Sequence, residues 1–196
     1  MLQNFKNYLL THTQITESEY SSLLDLVEVK TILKGEFLLQ KGEHCKHSFF
    51  IENGLARFYS IDKDGKEHII QFAPENWFVV DRASVFFNEP SEYYIDTIED
   101  TTAVFLDENF FCTASETVSF FSKYNEFLLQ NHIKHLQNRI NLLLSAQAEE
   151  RYLKFIKLYP DLTLRIPQWM IASYLGITPE SLSRVRKELA RKNFGR

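Results

Sequence analysis

Between Ile166 and Lys192 the chain reads IPQWMIASYLGITPESLSRVRKELARK, and no other stretch restricts the possible folds so tightly. Its periodicity predicts two short helices joined by a tight turn. The first runs from about Pro167 to Leu175, with proline tolerated at a helix start because that N–H would be unpaired anyway. Gly176 follows the last apolar residue, where a left-handed turn strains any residue with a Cβ. Thr178 is placed to cap a second helix that opens on Pro179 and continues to about Lys192. Ile171 and Leu175 fall on one face of the first helix, and Leu182, Val185 and Leu189 on one face of the second. Ala172, four residues before the glycine, lets the two cross closely. Glu180, Ser183, Arg184 and Lys187 are left on the outward face of the second helix. This is the helix-turn-helix spacing, in which a second helix enters the major groove of DNA. An ordinary αα-hairpin at the end of a helical domain carries the same apolar spacing, so the window alone leaves both open.

Charge separates the two readings. The whole chain of 196 residues carries a net −4, but from Arg151 onward ten Lys/Arg face only Asp161, Glu180 and Glu188, a net +7. The first 150 residues therefore hold −11. A basic end on an acidic body is an expected footprint for binding a polyanion through one end. With 44% hydrophobic and 24% charged residues the composition is that of a globular protein, which excludes a disordered chain. No apolar run approaches the ~18–20 residues of a membrane span. MLQNFKNYLLTHTQ lacks the apolar core and cleavage site of a signal peptide, and Cys45 and Cys112 form no CxxC spacing or disulfide framework. The expectation is a cytoplasmic protein without a membrane partner.

Upstream the chain changes character twice. Residues 1 to about 28 read as helical: Phe5, Tyr8 and Leu9 share a face, and Thr16 with Glu19 forms a capping box ahead of Tyr20, Leu23, Leu24 and Val27. Short β-rich runs follow at Val29–Leu33, Phe37–Gln40, Phe49–Ile51, Leu55–Ile61, Glu67–Phe72, Phe78–Val80, Tyr93–Ile98 and Ala103–Leu106. Asp64-Gly65, between FYSI and HIIQF, is the best hairpin signal in the chain. Eight such strands imply a sandwich or jelly roll. From about Asp107 the pattern is helical again. Along Thr117–Leu144, Leu129, Ile133, Leu136, Ile140 and Leu143 recur at spacings of 4, 3, 4 and 3, the pattern of a coiled-coil seam. A second stripe, Phe121, Tyr124 and Leu128, is available to pack on the β domain. A helix with two apolar stripes has two surfaces to cover, which points to a symmetric dimer. A further helix from about Ala146 to Tyr159 stops at Pro160. The fold class expected is therefore α+β: an N-terminal jelly-roll domain with its helices over 1–115, a long dimerisation helix over 116–145, and a helix-turn-helix domain over 146–196.

That order of parts resembles the Crp/Fnr family of bacterial transcription regulators, over nearly the whole chain. The most specific pieces are ITPESLSRVRKEL (Ile177–Leu189), QKGEHCKHSFFIENGLARFY and EDTTAVFL. The resemblance implies a cyclic-nucleotide-binding-like roll, a homodimer on a palindromic operator, and base reading by a Glu, a Ser or Gly, and an Arg, which match Glu180, Ser183 and Arg184. The chemistry agrees, since Arg pairs with guanine O6/N7 and a carboxylate accepts from cytosine N4. Pro179 stands where some members carry another base-reading Arg, so that contact is absent. An acid in the first turn also complements the helix dipole with no DNA needed, but that does not account for Arg184 one turn later on the same face. Gln168, Thr178, Ser181, Arg186 and Lys187 are expected to position phosphates. Only four residues follow the second helix, so the hairpins that flank the motif in many members look trimmed, as in a reduced winged helix. RNA polymerase is a candidate partner for an activator.

The residues do not name an effector. The Gly-Glu and Arg-Ser/Thr pairs that hold a cyclic nucleotide in the family line up with Asn76-Trp77 and Glu92-Tyr93, and Arg82 is the only nearby arginine. Cyclic AMP is not expected to bind in the usual way. No cofactor or metal is expected: His44-Cys45-Lys46-His47 reads as a surface loop, and two cysteines fall short of the four thiolates of an iron–sulfur cluster. Haem ligation by one of the six histidines stays open, and Trp77, Phe78, Phe86, Phe87, Tyr93 and Tyr94 suit either an apolar pocket or a core. Two other classes compete: a cupin-like metal-dependent enzyme, which lacks the closely spaced His-x-His, and a ligand-binding module whose helical tail contacts protein.

Overall fold

In a computed structural model, residues 2–194 are described. Two short helices, α1 (Gln3–Thr13) and α2 (Glu17–Leu24), open the chain. The capping box before α2 forms as expected: Glu19 N donates to Thr16 Oγ1 at 3.3 Å and Thr16 N to Glu19 Oε2 at 2.7 Å. Helix α1 has no side-chain cap of its own. The buried Glu52 supplies one from a distance, accepting from Asn4 N and Phe5 N at 2.8 Å each. A carboxylate at a helix N-terminus complements both the orphan N–H groups and the dipole.

Eight strands follow: β1 (Glu28–Ile32), β2 (Phe37–Leu39), β3 (Ser48–Asn53), β4 (Ala56–Ile61), β5 (Glu67–Ala73), β6 (Phe78–Val79), β7 (Tyr94–Thr97) and β8 (Thr101–Leu106). They form two four-stranded sheets, ordered β1-β8-β3-β6 and β2-β7-β4-β5. Every expected strand is present, within a residue or two at each end for most. Side chains of both sheets, among them Phe49, Ile51, Ala56, Phe58, Val79, Ile95 and Ala103, meet in one core. A second core joins Phe5, Leu9, Tyr20 and Leu23 of the N-terminal helices to Phe50, Val104 and Leu106. Phe49 and Phe50 thus point to opposite cores, as the two-residue strand period requires. The Asp64-Gly65 hairpin closes as expected, with Asp62 Oδ1 accepting from Asp64 N and Lys66 N. At Gly54 (φ 99°) a Cβ would lie 2.5 Å from Thr101 Oγ1 and 2.7 Å from Asp100 O, so only glycine fits.

Two helical features differ from expectation. A six-residue helix, α3 (Arg82–Phe87), interrupts the strands; Asp81 caps it and Asn88 ends it in the left-handed region. The long run from Thr117 is broken. Helix α4 (Glu108–Thr117) ends at Val118, whose side chain is buried in the second core with extended backbone, and α5 begins only at Phe121 and runs to Ser145. The stripe Phe121, Tyr124 and Leu128 packs against α1 and α4 side chains (Tyr8, Leu9, Phe110) as well as Phe78 and Leu106.

Helices α6 (Ala148–Leu158), α7 (Leu162–Arg165), α8 (Gln168–Leu175) and α9 (Pro179–Phe194) complete the chain. Among the described residues no strand follows β8, and LTLRI forms α7 where a flanking hairpin would stand. The chain divides into two compact units, Met1–Ile61 with Ile70–Gln130, and Asp62–Ile69 with Asn131–Arg196. Helix α5 thus contributes to both. Among the described residues no helix is long and apolar enough to cross a membrane.

Candidate nucleic-acid interface

The turn between α8 and α9 is built as the glycine and threonine dictate. Pro167 is the residue before α8, one place earlier than its expected first helical position. Gly176 adopts φ 65°, ψ 37°, and Ile177 N closes the helix end by donating to Ala172 O at 3.0 Å. Leu143 Cδ2 of α5 lies 3.3 Å from where a Cβ would stand on Gly176, so a side chain there would press on α5 as well as strain the turn. Thr178 Oγ1 accepts from Ser181 N at 3.2 Å, the hydrogen bond of an N-cap, and lies 3.2 Å from Ser181 Oγ. Arg151 Nη1 of α6 donates to Leu175 O at 2.7 Å, placing a cation on the C-terminal end of α8.

Ile171, Ala172, Leu175, Leu182 and Val185 are buried where the two helices meet, and Leu189 is half-buried. Since 3.6 residues make a turn, residues 180, 183, 184 and 187 share the opposite side of α9, and Glu180, Ser183, Arg184 and Lys187 are all exposed there. The α9 backbone therefore holds an acid, a hydroxyl and two cations in one solvent-facing row. Glu180 is held ionised: its own backbone amide first, then the Thr178 hydroxyl, keep its carboxyl below the usual range. Gln168 is exposed at the start of α8. Thr178 and Ser181 already serve as the cap, which leaves an acceptor on each for a second partner. Arg186 stands apart, half-buried one turn after Leu182 and roughly 200° around the helix from Arg184. Lys192 Nζ anchors α9 to α6 through Glu149, at 2.8 and 2.9 Å.

The residues of the expected seam face out along α5. Leu129, Ile133, Leu136, Ile140 and Leu143 remain 39%, 40%, 39%, 56% and 40% exposed, while Phe121 on the other stripe is buried. Leu143 is shared, since it also covers the Gly176 turn.

In the roll, Asn76 sits in a left-handed turn tied to β3 by its N–H to Ile51 O at 2.9 Å, and Glu92 is drawn to Lys41 at 2.7 Å. Between them lies a pairing that sequence reasoning missed. Buried Asp81 caps α3 through Ala83 N and Ser84 N, and its other oxygen accepts from Ser91 Oγ at 2.7 Å. Its signal was legible: an Asp at an N-cap with Asn at the C-terminal end. The aromatic group disperses: Trp77 and Tyr93 pack on the sheet core, Phe78 on the helical core, Tyr94 on Tyr59, while Phe86 and Phe87 are exposed. The His44–His47 loop also differs from a plain surface loop, because Cys45 is buried with its thiol donating to His47 O and its N–H to Ser84 Oγ. Burial raises the Cys45 thiol and lowers the His47 imidazole from their ordinary ranges. Among the described residues no cluster of three His, Cys, Asp or Glu is placed to hold a metal.

Residues 29–116 match the cyclic nucleotide-binding domain family. The chain is 26% identical over 183 residues to the anaerobic regulatory protein of Pasteurella multocida, covering 87% of this chain but only 66% of that protein. It is likewise 26% identical over 183 residues to the fumarate and nitrate reduction regulatory protein of Vibrio cholerae, covering 87% and 72%. The structure of FixK2 from Bradyrhizobium japonicum superposes with a TM-score of 0.71 at 20% identity, over 85% of this chain and 86% of that one. With its β-roll, long helix and terminal helix pair in this order, the chain is similar over most of its length to regulators of the Crp/Fnr kind and shares their fold, and its residues 29–116 are those of a cyclic nucleotide-binding domain.

Proposed function

We propose that this protein is a homodimeric, sequence-specific DNA-binding regulator, acting in the cytoplasm and without catalysis, that reads a palindromic operator through α9. Glu180, Ser183 and Arg184 read base edges, and Gln168, Thr178, Ser181 and Lys187 hold the phosphate backbone, while Arg186, on the side of α9 turned toward α8, is left out of this reading. The observation that carries this reading is the exposed row Glu180–Ser183–Arg184–Lys187 on a helix whose opposite side is buried by Leu182 and Val185. Such a helix presents polar side chains in a rigid register, as major-groove reading requires. Two copies dimerised through α5 would offer their helices about one DNA turn (~34 Å) apart. RNA polymerase is the natural partner if the regulator activates.

Selection of bound fragments from random DNA tests the reading and yields the operator. Arg184→Ala should then cost roughly 1–3 kcal/mol and relax preference at one base pair of each half-site. Equal binding of parent and variant to operator and scrambled DNA would remove Arg184 from the reading.

Cyclic AMP is not the effector in this proposal. The Asp81 carboxylate, held by the α3 cap and Ser91, places negative charge inside the α3 segment, and Glu92 adds another next to Ser91 in the chain. Calorimetric titration with cyclic AMP should show no micromolar binding.

A further inference from the structure

The last carbonyls of a helix have no partner within it, and the final two of α8 are satisfied by arginines of other helices. Arg151 takes Leu175 O, as described. Arg139 of α5 takes the carbonyl before it: its Nη2 donates to Tyr174 O at 3.0 Å and also to Ile69 O of β5 at 2.9 Å. The guanidinium lies 3.7 Å from the centre of the Tyr174 ring, stacked on its face. Next to it, Ser173 Oγ donates to Glu67 O at 2.8 Å and accepts from Ile69 N at 3.1 Å. Strand β5 lies at an edge of its sheet, so its outward N–H and C=O groups need a partner from elsewhere. One serine hydroxyl occupies two of those positions. Residues 62–69, the hairpin tip and the start of β5, accordingly group with the C-terminal helices.

We propose that Arg139 and Ser173 are positioning residues that fix the helix pair against α5 and thereby set the distance between the two DNA half-sites the dimer accepts. This rests on the proposed reading of a dimer on a palindrome. Arg139 lies between the seam residues Leu136 and Ile140, so its attachment point on α5 is tied to the dimer axis. Both bonds come from one guanidinium nitrogen, and with the guanidinium plane stacked on Tyr174 they define an angle that a single contact would leave free. The angle matters because of leverage. Helix α9 has 16 residues, roughly 24 Å at 1.5 Å per residue, so a swing of roughly 10° about one end carries the other about 4 Å. That exceeds the ~3.4 Å rise of one base pair.

The test is binding of the full chain to palindromes built from the selected half-site, with the central spacer varied in single base-pair steps. The parent should prefer one spacer by about tenfold over its neighbours. In Arg139→Gln, affinity for the preferred spacer should fall by about tenfold or more, the size expected for losing charge-assisted hydrogen bonds, and the spacer preference should flatten. The base preference read by Arg184 should stay unchanged, which a general loss of folding would not allow. Arg139→Lys keeps the charge without the planar group that stacks on Tyr174 and should not restore the profile. Ser173→Ala should flatten it less and speed hydrogen exchange at the Ile69 amide. If Arg139→Gln does not fold, Arg139→Lys and Ser173→Ala decide. Variants with the parent's spacer profile overturn the role of the two residues and leave DNA reading intact. A parent with no preferred spacer overturns the palindromic reading, and this role with it.

Discussion

The exposed seam on α5 makes a quantitative prediction about association. The five residues together leave about two side chains' worth of apolar surface uncovered on each chain, hence about four per dimer. At about 1.5–3 kcal/mol for a fully buried large aliphatic side chain, pairing them is worth roughly 6–12 kcal/mol before the costs of association. Those costs are about 4–15 kcal/mol, so the seam decides whether a dimer exists, and a single charge in it should be enough to prevent one. Ile140 is the most exposed of the five, at 56%. Ile140→Glu removes about 2–3 kcal/mol of burial across both copies. It also brings two carboxylates together across the axis, adding about 1–4 kcal/mol of repulsion at 4 Å, depending on how dry the seam is. The total, roughly 3–7 kcal/mol, weakens dimerisation by at least about 100-fold. Sedimentation equilibrium over a range of concentrations reads this directly, and operator affinity should fall with it. Gln137→Glu, on the same helix but outside the seam, should dimerise like the parent. If Ile140→Glu remains dimeric at the parent's concentrations, α5 is not the seam and the stripe must have another explanation.

Further substitutions separate the helix pair from the roll. Leu182→Ala empties a fully buried position between α8 and α9 and should cost about 2–5 kcal/mol in urea denaturation, whereas exposed Ser183→Ala should stay within about 0.5 kcal/mol. Asp96→Asn should cost about 3–5 kcal/mol, because the buried Arg57 guanidinium that donates to Asp96 at 2.7 and 2.8 Å would lose the charge of its bidentate partner; loss of less than 1 kcal/mol on denaturation would show that water or another group compensates. For Glu180, whose pKa is lowered in the folded chain, the linked stability is present above the ordinary carboxylate pKa and is lost as pH falls through the lowered value. Thr178→Val should raise that pKa toward the ordinary range, as followed by NMR titration of the Glu180 carboxyl, and an unmoved titration would refute the assigned hydrogen bond.

Local rules make much of this architecture legible in the residues alone. The strands, the Asp64-Gly65 hairpin, the Thr16–Glu19 box, the Gly176 turn and the Thr178 cap all depend on a few consecutive residues, whose φ preferences and hydrogen-bonding groups act at short range. The row on α9 is legible for the same reason: a 3.6-residue period assigns faces without reference to anything outside the helix. The break at Val118 is not, because the helical pattern continues through it and nothing among its neighbours marks where the chain turns extended before Phe121. Cys45 likewise lies among turn residues and is buried only because Ser84 and the sheet core meet it. Glu52 looks like a surface acid of a strand until α1, 47 residues away, needs a cap. Arg139 and Ser173 read as polar positions on helices of known polarity, and nothing near them in sequence marks their partners at Ile69 and Glu67, 70 and 106 residues away. Which elements form, and which face of α9 is exposed, thus follow from neighbours along the chain. Where α8 and α9 are held is settled by folding, because unpaired carbonyls at a helix end and on an edge strand can be satisfied by any donor that distant segments bring within reach.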